Sequence, residues 1–189
     1  DVFNNESLLR KETLRAYAKK HRICPFEFSL DCSNYCDIIV CDYNYVYDPR
    51  VHLIRYFEEK SATPILLVDE AHNLVPRSRE MYSSSLSQAM FQELMALVKG
   101  LPMNPKREIN RILDLYEEFG LELIDVDFIK METVNEFLLQ LVKRLLVKLD
   151  QTLTSEKKIP NRSKIMEAYF ALVQFVRIVE FYNDDFIFL

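Results

Sequence analysis

Glycine scarcity is the feature of this sequence that most limits the folds open to it. Only Gly100 and Gly120 occur among 189 residues, so few tight turns that need a left-handed glycine can form. Folds rich in hairpins depend on such turns, whereas helical folds do not. The composition therefore predicts a mainly helical chain, and its 49% hydrophobic content is enough for a sizeable core.

Four segments beyond about residue 80 carry apolar residues at helical spacing. Ser85 and Gln88 match a capping box ahead of the first segment, and Gly100 and Gly120 fit the ends of the first and second. The third has a regular seam of leucine and valine. We expect the four to pack as a helical bundle. Their predicted starts lie near Ser85, Pro105, Val134 and Asn161.

Two short apolar runs in the first 80 residues indicate strands that are buried on both faces. They are Asp37–Cys41 and Ile65–Val68. A helix is predicted between them, starting at Asp48-Pro49, because proline is favoured in a first helical turn. A strand, a helix and a strand within about thirty residues predict a right-handed parallel βαβ unit.

The second predicted strand leads directly into Asp69, Glu70 and His72. Ligands in open α/β sheets bind beyond the carboxyl ends of the strands. Asp69 could hold Mg²⁺, often through water, and Glu70 could orient or deprotonate a water that attacks a γ-phosphate. The alternative is an ordinary acidic pair at a solvated strand end. The pattern Gly-x-x-x-x-Gly-Lys-Ser/Thr is absent, so we expect this chain alone to bind ATP weakly and not to hydrolyse it.

Three motifs together resemble the XPD/DinG family of superfamily-two DNA helicases, over roughly a third of the chain. Cys24–Glu27 resembles the last iron–sulfur cysteine with its proline and aromatic residue. Cys41–Pro49 resembles the Tyr-Asn-Tyr-Leu-x-Asp-Pro stretch of that family. Val68–Asn73 resembles its Walker B box, Asp-Glu-Ala-His, extended by asparagine.

The resemblance implies roles for individual residues. Asp69 would help to bind Mg-ATP, Glu70 would be the catalytic base, and His72 would couple the nucleotide state to the motor. Cys24 would be an iron–sulfur ligand whose three partners precede Asp1. The cofactors implied are therefore Mg²⁺ and ATP in a parent protein, and a cluster that is possible in the parent but not expected in this fragment.

The resemblance also implies a domain plan for an excerpt of a larger protein. Residues 1–30 would be the tail of an iron–sulfur-type domain, and residues 31–80 part of the first RecA-like motor domain. Residues 81–180 would be the helical arch, and residues 181–189 would return to the motor. The fold class expected is thus mainly α, with a small α/β part. Full-length members unwind DNA with 5′ to 3′ polarity, and their arch helps to frame a hole for single-stranded DNA.

Two groups of residues are candidates for contact with DNA. The first group lies on a predicted helix that is capped by Asn5 and stopped at Cys24-Pro25. Its basic residues, at spacings of four, four and three, would lie on one face, which suits phosphate contacts. The tyrosines of the Tyr-Asn-Tyr stretch, including Tyr47, could stack on bases. A solvated basic face and packed tyrosines are the alternatives. The residues are Lys11, Arg15, Lys19, Arg22, Tyr43, Asn44 and Tyr45.

Composition narrows the class of protein further. The net charge of −5 argues against a wholly basic nucleic-acid coat, and no apolar run approaches the ~20 residues of a membrane span. Four cysteines at spacings of eight, four and five favour a reduced protein without disulfides, in which Cys36 and Cys41 pack in the core. We expect a cytoplasmic or nucleoid-associated location rather than secretion.

The predicted function is a fragment of an ATP-dependent DNA helicase whose partners are single-stranded DNA and ATP. One alternative is a non-catalytic helical module that binds DNA or a protein, with a purely structural acidic box. A zinc-stabilised domain is weaker, because no Cys-x-x-Cys pair occurs. The sequence leaves the oligomeric state open.

Overall fold

The computed structural model of the chain describes residues 2–57, 64–101, 103–122, 126–155 and 158–189. Contacts between Cα atoms divide the chain into two compact units, Asp1–Tyr45 and Val46–Leu189. Regular structure in the described residues is helical, apart from one antiparallel bridge between Met131 and Phe188. The prediction of a mainly helical chain is therefore confirmed.

The first unit contains α1 (Val2–Asn5), α2 (Lys11–His21) and α3 (Pro25–Ser33), and α2 packs against α3. The prediction that Asn5 caps the long helix is wrong. Asn5 is the last residue of α1, and α2 begins only after Arg10, whose backbone is extended at φ −81° and ψ 162°. Helix α3 follows directly after Cys24, and Pro25 occupies its first turn.

The second unit is dominated by a bundle of four long helices: α6 (Gln88–Leu97), α7 (Lys106–Glu122), α8 (Glu136–Leu153) and α9 (Arg162–Glu180). Helix α6 packs against α7 and α9, and α8 packs against α7 and α9. Each buried leucine or isoleucine of this core stabilises the fold by roughly 1.5–3 kcal/mol before the entropic cost. The core includes Phe91, Leu94, Ile109, Ile112, Leu141, Leu145, Leu149, Ile165 and Leu172, all at most 1% exposed.

Side-chain caps fix where two bundle helices begin. The Ser87 hydroxyl accepts a hydrogen bond from the Met90 amide at 3.2 Å, so Ser87 caps α6 and the capping box predicted at Ser85 is wrong. Asn135 Oδ1 accepts from the Leu138 amide at 2.9 Å and starts α8. Gly120 was predicted to end α7 but lies inside it, because the helix continues to Glu122.

The two predicted strands are not formed in the described part of the chain, and the predicted βαβ unit is therefore wrong for it. Asp37–Cys41 and Ile65–Val68 lie outside regular structure. Val40, Ile65 and Leu67 are 94%, 90% and 93% exposed. A strand needs a hydrogen-bonded neighbour and covering side chains, and neither run has a strand partner among the described residues.

The helix predicted from Pro49 is also replaced by other structure. Turns follow Asp48, and a short 3₁₀ helix spans Ile54–Tyr56. The carbonyl oxygen of Asp48 accepts hydrogen bonds from the Val51 and His52 amides at 3.1 and 2.8 Å, which closes a compact turn in place of a helix. The connection through residues 58–63 lies outside the described residues.

Candidate functional site

The acidic segment, Asp69–His72, forms a sharp turn between an extended run and a helix. Glu70 has a left-handed backbone, with φ 50° and ψ 39°, and its amide donates to Asp69 Oδ1 at 2.9 Å. A 3₁₀ helix, Ala71–Asn73, follows, and the Asn73 amide donates to the Glu70 carbonyl oxygen at 2.9 Å. Helix α5 (Leu74–Met81) then continues without a break. The local hydrogen bonds thus place three predicted site residues within one turn.

The side chains of the acidic segment are open to solvent. His72 Nε2 lies 3.3 Å from Glu70 Oε2, with the two side chains 73% and 67% exposed, and Asp69 is exposed as well. At such exposure water screens the contact, so it orients the pair more than it stabilises the fold. An exposed carboxylate can accept a hydrogen bond from a water molecule and orient it, which is one part of the task of a general base.

The donor set of this turn suits Mg²⁺. Magnesium in nucleotide sites is usually held by one or two carboxylates, with phosphate oxygens and waters as the other ligands. Asp69 Oδ1 accepts one amide, and the exposed carboxylate retains acceptor capacity for a metal ion or its waters. Asp69 therefore fits the role that the resemblance implies.

The predicted basic face lies on α2 in the first unit. Lys11, Arg15 and Lys19 are exposed along this helix. Arg22 is exposed too, but it caps the helix C-terminus in a left-handed conformation rather than extending the helical face. A further cation, Lys20, has its Nζ 5.5 Å from the centre of the Tyr17 ring. The first three side chains can therefore reach a phosphate backbone from one side of the helix.

The Tyr-Asn-Tyr stretch is partly built into a short helix. Tyr43, Asn44 and Tyr45 are half-buried, and α4 spans Asn44–Tyr47. Asp42 starts this helix, since its side chain and carbonyl accept from the Asn44 and Tyr45 amides at 2.9 and 3.0 Å. The Tyr45 ring lies 6.3 Å from the Phe26 ring, tilted by 32°. Tyr45 thus has a packing partner, and its ring is only partly available to a base.

Sequence reasoning missed Asp48, the most deeply buried acid of the second unit's described residues, at 2% exposed. The Arg50 guanidinium forms a bidentate ion pair with the Asp48 carboxylate: Nε lies 2.8 Å from Oδ1 and Nη2 lies 2.5 Å from Oδ2. The Arg50 amide adds a bond of 2.9 Å to Oδ1. Hydrogen bonds from Arg50 lower the pKa of Asp48; burial opposes the shift, and the charge of Arg177 adds to it. An Asp two residues before an Arg, in Asp-Pro-Arg, was the available signal.

The cysteines do not form a metal site in the described part of the chain. Cys24 is exposed at the start of α3, and only Cys32 is buried, which raises the pKa of its thiol. The expectation that Cys36 and Cys41 pack in the core is wrong: both are exposed, because the strand they would join is not formed. No three His, Cys, Asp or Glu residues there could hold a metal ion together. A cluster role for Cys24 therefore stays a prediction.

Comparison with known proteins finds a family model that covers the candidate residues. Residues 2–91 match the family model described as DEAD_2, which contains every site residue predicted above. Within the described residues, no helix has the length and apolar character needed to cross a membrane. No solved structure matches the chain significantly.

Three curated relatives are similar over part of this chain. The Fanconi anemia group J protein homolog of Gallus gallus is 32% identical over 78 residues, which is 41% of this chain and 6% of that protein. The general transcription and DNA repair factor IIH helicase subunit XPD of Dictyostelium discoideum is 32% identical over 69 residues, or 36% and 9%. The regulator of telomere elongation helicase 1 of Homo sapiens is 31% identical over 80 residues, or 42% and 6%. The aligned part is thus below a tenth of each relative.

Proposed function

We propose that this chain, whose residues 2–91 match the DEAD_2 family model and which is similar in part to an XPD helicase subunit, contributes the catalytic turn of a DNA-dependent ATPase motor. The observation that carries the proposal is the acidic segment, which lies inside the matched region and presents Asp69, Glu70 and His72 together to solvent. Helicase and DNA repair functions are named for the relatives, and this chain would share the motor step that such functions need.

Each residue of the acidic segment has a distinct task in this proposal. Asp69 would hold the Mg²⁺ of Mg-ATP, and the ion would neutralise charge on the phosphates. Glu70 would accept a proton from the attacking water, or hold that water in line. His72, whose Nε2 lies 3.3 Å from Glu70 Oε2, would keep the carboxylate oriented and couple the nucleotide state to the motor.

The proposal assigns the complete activity to a larger protein. The sequence contains no phosphate-binding loop of the Gly-x-x-x-x-Gly-Lys-Ser/Thr type, so this chain alone is expected to be inactive. Residues 31–80 would belong to the first motor domain, and the bundle within 81–180 would be the arch beside the single-stranded DNA. Unwinding with 5′ to 3′ polarity is part of the same proposal.

The test is the Glu70→Gln substitution in the parent protein. The amide keeps the size of the side chain but cannot take a proton, so ATP hydrolysis stimulated by single-stranded DNA should fall at least ~100-fold. Binding of a fluorescent ATP analogue should be retained. The matched control is Glu80→Gln, which alters an exposed glutamate of α5 that contacts Arg77 at 3.3 Å. Full activity of the Glu70→Gln protein would refute the proposed mechanism.

A second candidate function is a non-catalytic nucleic-acid-binding module. The exposed row of Lys11, Arg15 and Lys19 on α2 favours it, because exposed cations can contact phosphates without any ATP hydrolysis. In that case the isolated chain would bind single-stranded DNA in a salt-dependent way, and Glu70→Gln would have no consequence in the parent protein.

A further inference from the structure

The turn that holds Asp48 is attached to α9 by two side chains from the far end of the sequence. Arg177 Nη1 donates to the Pro49 carbonyl oxygen at 3.0 Å. Gln174 Oε1 accepts from Arg50 Nη1 at 3.3 Å. Gln174 and Arg177 are three residues apart, so they project from the same face of the helix. Because Asp48 fixes the Arg50 guanidinium by their bidentate ion pair, α9 contacts a preorganised group rather than a mobile side chain.

The same surface of α9 also receives the end of α5. Gln174 Nε2 donates to the Ser83 carbonyl oxygen at 3.0 Å, and the Tyr82 ring packs edge-on against Phe181 with centroids 5.6 Å apart. The Tyr82 hydroxyl donates to the Tyr47 carbonyl oxygen at 3.1 Å. Gln174 therefore uses both ends of one amide, the oxygen for the Asp48 turn and the nitrogen for the residues after α5.

This network connects the acidic segment with the segment Tyr47–Arg50, which contains the Asp48 turn. Helix α5 begins directly after the acidic segment and ends at Met81, next to Tyr82. The Asp48 turn follows α4, whose last residue, Tyr47, is a candidate base-stacking residue. Helix α5, eight residues long, thus runs from the acidic segment towards the surface where Tyr47–Arg50 is held.

We propose that Gln174 and Arg177 are positioning residues that couple the acidic segment to Tyr47–Arg50 through α5. A ligand that moves the acidic segment would displace the end of α5, and Gln174 would transmit this displacement to the Asp48 turn. By linkage, nucleic acid bound at Tyr47–Arg50 would change the binding free energy of the ligand at the acidic segment by the same amount. This inference rests on the proposed function for the identity of the two ligands, but the contacts themselves do not depend on it.

The contacts are tested first in the 189-residue chain by hydrogen exchange. The Gln174→Ala/Arg177→Ala variant should exchange at least ~10-fold faster in peptides that cover residues 46–53, because it loses two anchors of the turn. Peptides that cover the α8 core, 139–149, should be unchanged. The matched control, Gln140→Ala/Arg144→Ala, removes the same residue types from an exposed face of α8. Unchanged exchange at 46–53 would overturn the proposal, and so would equal acceleration of the α8 core.

The coupling is tested in the parent protein. The same double variant should keep its ATPase rate without DNA, while the stimulation by single-stranded DNA falls at least ~5-fold. The single variant Arg177→Lys keeps Gln174 and a cationic donor for the Pro49 carbonyl oxygen. It should therefore retain part of the stimulation that the double variant loses. Full stimulation in the double variant would refute the coupling. Absence of any DNA-stimulated ATPase in the unmodified parent would refute the proposed function, and exchange at 46–53 would still decide whether α9 positions the turn.

Discussion

Two ion pairs of the bundle allow the effect of burial on a salt bridge to be measured at constant distance. Lys148 Nζ of α8 lies 2.7 Å from Glu108 Oε2 of α7, and Lys164 Nζ of α9 lies 2.7 Å from Glu93 Oε1 of α6. The side chains of the first pair are 30% and 11% exposed, and those of the second are 57% and 56% exposed. Both pairs join neighbouring helices, so a difference in coupling should come mainly from solvent screening.

A double-mutant cycle with alanine should give a coupling free energy of about 1–2 kcal/mol for Glu108 and Lys148. This value lies above the ~0.2–1 kcal/mol of exposed pairs and below the ~3–5 kcal/mol lost when a fully buried pair is broken. The Glu93–Lys164 cycle should give a coupling close to the experimental error, because water screens both of its charges.

The two single substitutions of the Glu108–Lys148 pair should lower the free energy of unfolding by unequal amounts. Lys148→Ala leaves the Glu108 carboxylate 11% exposed without its cation, and removes the bond from Lys148 Nζ to the Asn104 carbonyl oxygen at 3.3 Å. We expect a cost of about 2–3 kcal/mol, which corresponds to roughly 4–12 °C in Tm for a chain of this size. Glu108→Ala should cost only about 1–2 kcal/mol, because the flexible ammonium of Lys148 can turn to water.

The assay is urea unfolding followed by circular dichroism at 222 nm, with thermal scans of the same variants. Each cycle requires the wild type, two single variants and the double variant, compared at a common m-value. Equal couplings in the two cycles would refute the argument that burial strengthens the Glu108–Lys148 pair. A larger cost for Glu108→Ala than for Lys148→Ala would refute the argument that the stranded carboxylate is the costly product.

Two further predictions concern the basic face and Asp48. Lys11→Ala/Lys19→Ala should weaken binding of a single-stranded oligonucleotide and reduce the slope of log affinity against log salt by about 1.4, at ~0.7 per lost contact, whereas an unchanged slope would indicate a merely solvated face. The lowered pKa of Asp48 implies stability that is fully present above its unfolded pKa of about 3.9 and lost as the pH falls towards the lower folded value. The stability difference between wild type and Asp48→Asn, from urea midpoints, should therefore be constant from pH 7 to about 5 and shrink below about 4; a difference that persisted at pH 3 would contradict this assignment.

The bundle could be predicted from the sequence because its information is local. Apolar residues at helical spacing near Leu141, Leu145 and Leu149 face one way whatever the neighbours are, and all three are fully buried or nearly so. Ends were less predictable, since Ser85 and Ser87 are both good caps and only the chain path decides between them.

The βαβ unit could not be predicted reliably because a strand is not a local structure. The β-branched run around Val40 has strand propensity, but it becomes a strand only if another backbone pairs with it. Asp48 was missed for a related reason: its surroundings include Arg177, whose charge helps to lower the pKa of Asp48 and which lies 129 residues further along the chain. The acidic segment was found because its chemistry is written in consecutive residues, and its roles remain predictions until the substitutions are made.

At Glu70 the left-handed backbone favours glycine, whereas the proposed function of the acidic segment needs a carboxylate. Arg22 and Asn161 also have positive φ values, but Arg22 ends a helix, where that conformation is common, and asparagine tolerates it. At Glu70 a β-carbon in this region costs roughly 1 kcal/mol, and glycine would relieve the cost. A chain selected for stability alone would therefore carry glycine there. The sequence carries a carboxylate there against the local preference of the backbone, as the proposed catalytic role of Glu70 would require.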